Sequence, residues 1–285
     1  MAIEVQAMTP QFGAYVTGID VRAGVDAATH AQIEQALTRY AMLSFPGQPI
    51  DDEQQLAFSR NFGTLHFQED VSRRRLKNGY FQDVSNIGND NEILDADADR
   101  RIYSNANMLW HTDLSFVATP ARVTVLSARE LPDDPPDTQF ADMRAAWDAL
   151  PAARQRELEG LQAEHSVFTS RAKVGYDRFT EQERARLPPV VHPLVRTHRR
   201  SGRKSLYIAS HTSHIVGWPL DEGRQLIQEL IAFCTQPQFV LSYHWKPHDL
   251  ICWDDSCTMH RSTPFDSMKY RRELRWNAAL EPAPV

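Results

Sequence analysis

The chain has 285 residues, of which 42% are hydrophobic, and a net charge of −6 from 31 basic and 37 acidic side chains. A chain of that length can bury roughly 75% of its unfolded surface in one core. No stretch approaches the ~18 apolar residues of a membrane span, and the negative balance supplies no global field for a nucleic-acid backbone.

Cys234, Cys252 and Cys257 are odd in number and contain no C-x-x-C pair, so neither a disulfide framework nor a zinc ribbon is expected. The first residues, Met-Ala-Ile-Glu-Val-Gln, carry no basic or apolar leader, and a reducing cytoplasm is the expected compartment. One concentrated basic run, Arg196, Arg199, Arg200, Arg203 and Lys204, surrounds Ser201-Gly202 and reads as a solvated turn.

No repeat, low-complexity tract or Gly/Ser linker divides the chain, which predicts a single domain over 1–285. Asp26 or Thr29 is placed to cap a helix with Ile33, Leu37 and Tyr40 inside, followed by a short buried strand over Met42–Phe45. Asp51 is an N-cap candidate for a second helix, with Leu56, Ala57 and Phe62 on its inner side and Gly63 at its end. Between Asn86 and Asp99 the Asn, Gly and Asp content favours turns, so a mobile loop is expected there.

Strand character then recurs at 122–127, 138–140, 164–168, 194–198, 206–209, 239–245, 250–253 and 275–280. Helical text interrupts it at 143–150, 152–161 and 220–235. Many short strands with a few helices predict a mainly β fold with flanking helices, a jelly roll or double-stranded β-helix. A doubly wound sheet does not fit, since strands and helices do not alternate and no G-x-G-x-x-G opens a helix.

Signatures of serine hydrolases, zincins and P-loop nucleotide sites are absent. What remains is Trp110-His111-Thr112-Asp113 and, far downstream, His260. Two imidazoles and one carboxylate on one side of Fe(II) leave open the positions that a chelating keto acid and O2 need. His111 and Asp113, one residue apart, point the same way in an extended chain. The pair alone is weak, because 11 His and 37 acidic residues give about one His-x-Asp/Glu by chance. Downstream stands Tyr270-Arg-Arg-Glu-Leu-Arg-Trp276. Its arginines suit a dicarboxylate, because a guanidinium donates two parallel hydrogen bonds and keeps its charge.

Taken together these residues resemble the taurine dioxygenase and 2,4-dichlorophenoxyacetate dioxygenase family of Fe(II)/2-oxoglutarate oxygenases. The resemblance runs from Phe45-Pro-Gly-Gln48 through the W-H-T-D block to the final Arg-rich strand. Thr138 stands 27 after His111, and Arg271 and Arg275 stand 11 and 15 after His260. The resemblance implies His111, Asp113 and His260 as iron ligands, and Thr138 and Arg271 as partners of the far carboxylate of 2-oxoglutarate. It places Asn107 near the chelating end, and Arg275 and the backbone N–H of Leu114 on the primary substrate. One departure is Pro135-Pro136, where the family often has Gly-Gly.

Asp142–Leu150, Pro193–His198, Ser201–Lys204 and His211–His214 resemble the phenoxyalkanoate branch. That implies hydroxylation of the carbon beside an aryloxyalkanoate ether oxygen, with Fe(II), 2-oxoglutarate and O2 as cofactor and cosubstrates. His211 and His214 are candidate pocket residues. The expected partners are a small anionic aromatic substrate and further copies of the chain, with no nucleic acid and no membrane. A taurine or alkylsulfonate oxygenase on the same scaffold and a non-catalytic cupin-like binding protein are the competing readings.

Overall fold

The structure, a computed structural model, describes residues 3–69 and 74–282. From the N-terminal end, β1 (Glu4–Ala7) and β2 (Ala14–Thr17) form an antiparallel pair. Helix α1 (Ala27–Tyr40) follows, with the Asp26 carboxylate accepting from the backbone N–H of Thr29. The left-handed Ala41 ends it and leads directly into β3 (Met42–Phe45). Helix α2 (Asp52–Arg60) begins with a full capping box between Asp51 and Gln54.

Its inner side is Gln55, Leu56, Phe58 and Ser59, and Ala57 faces solvent. Ala57 was expected inside; Gln55 takes that position because its amide donates to Asn277 Oδ1 and the Arg275 carbonyl, 2.9 Å each. After β4 (Gln82–Ser85), the Asn/Asp-rich stretch makes a bridge between Ile87 and Ile93 and then helix α3 (Asp99–Ser104).

The second half supplies β5 (Ala121–Glu130), β6 (Thr138–Asp142), α4 (Met143–Ala149), α5 (Ala152–Leu158) and β7 (Gln162–His165). The strand expected over 164–168 stops at His165, because Ser166 caps a new helix, α6 (Val167–Ala172). Next come α7 (Glu181–Arg186), β8 (Val190–Pro193), β9 (Val195–Thr197), β10 (Lys204–Leu206) and β11 (Thr212–Ile215). The chain finishes with α8 (Leu220–Cys234), β12 (Val240–Tyr243), β13 (Leu250–Asp254), β14 (Thr258–Ser262) and β15 (Glu273–Leu280).

The basic run folds as the expected turn: Gly202, at φ 70°, lies between β9 and β10. Its cations spread into ion pairs, Arg196 with Glu281, Arg200 with Glu34, Arg203 with Asp148 and Lys204 with Glu159.

One seven-stranded sheet runs β1-β2-β3-β13-β5-β15-β4, and a smaller one runs β12-β6-β14. Side chains alternate across the large sheet with period two. Leu43, Phe45, Val123, Val125, Leu250 and Cys252 pack with Ile33 and Leu37 of α1 and Leu56 and Phe58 of α2. The opposite parity, Met42, Leu126, Ile251, Trp253, Leu274 and Trp276, packs with Phe140 and Tyr243 of the smaller sheet. The second core therefore lies between the two sheets, and the candidate ligands sit at its rim. Among the described residues no helix is long and apolar enough to cross a membrane.

Candidate metal centre

His260 lies on β14, whose register against β6 sets it opposite Phe140. On its free side β14 takes up one residue of the incoming chain, His111. The two backbones exchange hydrogen bonds, His111 N to His260 O at 2.9 Å and His260 N to His111 O at 2.7 Å. That exchange makes the two imidazoles neighbours despite their separation in sequence, with ring centroids 4.2 Å apart. Asp113, two residues on, returns to the same side.

The ligand atoms of His111, Asp113 and His260 all lie within 4.8 Å of one another. His111 Nε2 is 3.8 Å from Asp113 Oδ1, and His260 Nε2 is 3.6 Å from Asp113 Oδ2.

Tautomer and charge follow from the surroundings. The Leu109 carbonyl, 2.7 Å from His111 Nδ1, can only accept, so Nδ1 carries the hydrogen and Nε2 presents its lone pair to the cluster. Burial holds His111 below the usual imidazole range and His260 down to about 3, so both rings are neutral at neutral pH. The Asp113 carboxylate is oriented by Trp276 Nε1 and Thr124 Oγ1, both donating to Oδ2 at 2.9 Å.

Behind it lies Asp255, fully buried, which accepts from the backbone N–H of Asp113 at 3.0 Å and from Trp253 Nε1 at 3.1 Å. Burial, and then the Asp113 charge, push the Asp255 carboxyl well above the usual range. Two neutral imidazoles and one oriented carboxylate are a donor set that Fe(II) accepts with positions to spare.

The centre opens into a cavity of about 330 Å³, lined among others by Asn107, His111, Asp113, Thr138, Trp253, His260, Arg272 and Trp276. Thr138 and Asn107 thus both line the cavity. Thr138 Oγ1 also accepts from Trp245 Nε1 at 2.9 Å.

Arg271 and Arg275 are not brought to it, which corrects the expected placement of both. Arg271 points outward to Glu130 and Asn91. Arg275 projects from the outer face of the large sheet, where it pairs with Glu273 and Asp52. Counting 11 and 15 from His260 selects the wrong parity along β15 and the two residues that lead into it, and a shift of one residue moves the whole set to the other face.

On the inner parity stand Arg272 and Trp276, both lining the cavity. Arg272 is 6% exposed, has no carboxylate within ion-pair distance among the described residues, and leaves Nε without a partner. Desolvation lowers its pKa to about 10. A buried guanidinium without a counter-charge is costly unless an anion joins it.

Three further candidates stay outside the lining. Leu114 is buried in the core at φ 53°. His211 packs edge-on against His111, centroids 6.1 Å apart, and against Phe116. His214, on β11, is near Glu164 and Ser213 and away from the cavity. Residues that the sequence did not single out are Thr124, Asp255, Trp276, Arg272 and Arg101. Arg272 was inside the motif already noticed, and strand parity is the signal that would have chosen it over Arg271.

Mostly sheet with flanking helices, the chain presents the donor set of a mononuclear metalloenzyme next to a cavity built for an anion. Residues 4–276 match the family described as taurine catabolism dioxygenase TauD, TfdA family, and the chain belongs to that family. It is 41% identical, over the full length of both chains, to an alpha-ketoglutarate-dependent 2,4-dichlorophenoxyacetate dioxygenase of Cupriavidus pinatubonensis. It is 34% identical to an (S)-phenoxypropionate/alpha-ketoglutarate-dioxygenase of Sphingobium herbicidovorans, covering 100% of this chain and 96% of that protein. Among solved structures it resembles AAD-2 in complex with Mn(II) and N-oxalylglycine, with a TM-score of 0.93, 38% identity and 100% and 99% of the two chains covered.

Proposed function

We propose that this protein is an Fe(II)- and 2-oxoglutarate-dependent dioxygenase that hydroxylates the ether-adjacent carbon of an aryloxyalkanoate such as 2,4-dichlorophenoxyacetate or a dichlorprop-like acid. The observation that carries the reading is the convergence of His111, Asp113 and His260 on one point beside the buried, unpaired guanidinium of Arg272. Relatives whose names specify phenoxyalkanoates support the substrate class.

His111, Asp113 and His260 hold the iron. Arg272 and Thr138 hold the far carboxylate of 2-oxoglutarate, so Arg272 takes the role that the resemblance gave to Arg271. The ferrous ion with 2-oxoglutarate supplies the oxidising power: O2 is spent in converting 2-oxoglutarate to succinate and CO2 and in placing a hydroxyl on the substrate carbon. The protein's part is position, and Leu126, Trp253 and Trp276 give the cavity apolar walls that limit water. The hydroxylated carbon is a hemiacetal, which expels the phenol and leaves a 2-oxo acid.

We read the two facing sheets as a double-stranded β-helix and the chain as one domain working in the cytoplasm. The test is a panel with Fe(II), ascorbate and 2-oxoglutarate, reading succinate and phenol together. Stoichiometric release of both with phenoxyacetates is expected, and release of succinate with taurine alone would replace the aryloxyalkanoate reading with the alkylsulfonate one.

A further inference from the structure

Among the described residues lining the cavity, two side chains are cationic, Arg272 and Arg101. Arg101 belongs to α3, in the segment that runs on through Asn107 to His111. Its hydrogen-bond partners among the described residues are all neutral. Nε donates to the carbonyls of Leu94 and Asp95 at 3.1 and 3.0 Å, Nη1 donates to Ser267 Oγ at 2.5 Å, and Nη2 donates to the carbonyls of Ser267, at 3.1 Å, and Leu94. One of the five guanidinium hydrogens, on Nη1, is left over.

Asp95 is the acid acting on this charge, and it forms no ion pair with it. Arg101 and Arg272 are joined through the 267–272 turn. Asn86 Nδ2 donates to the carbonyls of Ser267 and Tyr270, and Asn86 Oδ1 accepts from the backbone N–H of Arg272. The cavity thus holds two guanidiniums at separate points on one braced wall.

A ferrous ion and Arg272 together carry the charge that Asp113 and the two carboxylates of 2-oxoglutarate neutralise. Arg101 is left over. Arg275, the expected substrate partner, is engaged by Asp52 and Glu273 on the other face of the sheet.

We infer that Arg101 is the anchor for the carboxylate of the primary substrate and selects singly charged aryloxy acids over their neutral analogues. The inference rests on the oxygenase reading above. Anchoring from α3 fixes the substrate through the same stretch of chain that delivers His111, so its reactive carbon is held relative to the metal by ten residues of continuous backbone.

The test is equilibrium binding of 2,4-dichlorophenoxyacetate and of its neutral amide to protein loaded with Mn(II) and N-oxalylglycine, run beside the turnover panel. Arg101→Gln should raise the Kd of the acid by at least about tenfold and that of the amide by less than about threefold, the loss expected of one charge-assisted contact. Arg101→Lys should keep part of the preference for the acid. Ser267→Ala removes a tether of Arg101 without its charge and should preserve the acid-to-amide ratio. Equal losses for both ligands in Arg101→Gln, or an unchanged Kd for the acid, would overturn the anchor. Wild-type protein that binds the acid selectively but releases no phenol would overturn the oxygenase reading and leave the anchor standing.

Discussion

Thr124 places one hydroxyl between two carboxylates: its Oγ1 lies 2.9 Å from Asp113 Oδ2 and 2.7 Å from Asp255 Oδ2. A hydroxyl donates one hydrogen, so one of the carboxyl groups has to contribute its own. Asp255 is the group raised by burial and by the neighbouring charge, and its Oδ1 already accepts N–H bonds from Asp113 and Trp253. Asp255 Oδ2–H therefore donates to Thr124, and Thr124 donates to the Asp113 oxygen that also meets Trp276.

That chain of donors predicts an unusual substitution pattern. Asp255→Asn replaces a neutral acid by a neutral amide with one acceptor and one donor on the same two sides, and should leave Fe(II) or Mn(II) affinity within about threefold. Asp255→Ala and Thr124→Val leave donors or acceptors unmet and should lower it by roughly 10–100-fold, the usual cost of losing the group that orients a ligand. Metal titration followed by calorimetry reads the difference. Equal losses for Asn and Ala would mean that Asp255 works as a carboxylate.

Arg272 gives a second prediction, in which function and stability move in opposite directions. Arg272→Met should raise the KM for 2-oxoglutarate by about 2–3 kcal/mol, roughly 30- to 150-fold, the value of contacts to a charged partner. The same change removes an uncompensated buried charge, so the cosubstrate-free protein should melt about 2 °C higher or more. Arg271→Met should move the KM for 2-oxoglutarate by less than about threefold, since its guanidinium is occupied by Glu130 and Asn91 outside the cavity. Steady-state kinetics with thermal melts checks both, and a large effect of Arg271 with none of Arg272 would restore the original register.

The sequence made the ligands legible because His-x-Asp and a distal His are chemically distinctive. It did not reveal the strand that carries the distal ligand: Thr258–Ser262 mixes Thr, Met, His, Arg and Ser and shows no alternation of polarity. Its pairing is set by β6 and by the His111 bridge, which are tertiary facts. Helices α1 and α2 were readable from caps and apolar spacing, α8 from apolar spacing alone, and α4 as a helical stretch. Strand β4 and helix α3 were not, since both are short, mostly polar and without a fully buried residue, and Arg100 of α3 ties the two together by donating to Ser85 Oγ. Arg272 was missed through parity alone: two adjacent arginines look alike in sequence, and only the opposite sides they take just before β15, Arg272 at the cavity and Arg271 on Glu130 and Asn91, separate them.

The last prediction concerns pH. His165 is fully buried, stacks on Tyr207 with centroids 5.6 Å apart, meets His192 edge-on, and has no partner on either ring nitrogen. Desolvation, and then His192 and Arg196, lower its pKa to about 3. Between pH 6.5 and that value the unfolded chain binds a proton that the folded chain refuses, so stability falls as pH falls across this window.

By pH 5 this one group costs about 2 kcal/mol relative to neutral pH. The depressed carboxylates of Asp83, Asp254 and Glu273 lose their contribution only at lower pH, below the ordinary carboxylate range, which separates the two effects. His165→Phe keeps an aromatic ring against Tyr207 and has no proton to refuse. Its melting temperature should therefore drop several degrees less than that of the wild type between pH 7 and pH 5. Parallel melting curves for the two proteins over that interval would show that His165 takes up a proton in the folded state at its ordinary pKa.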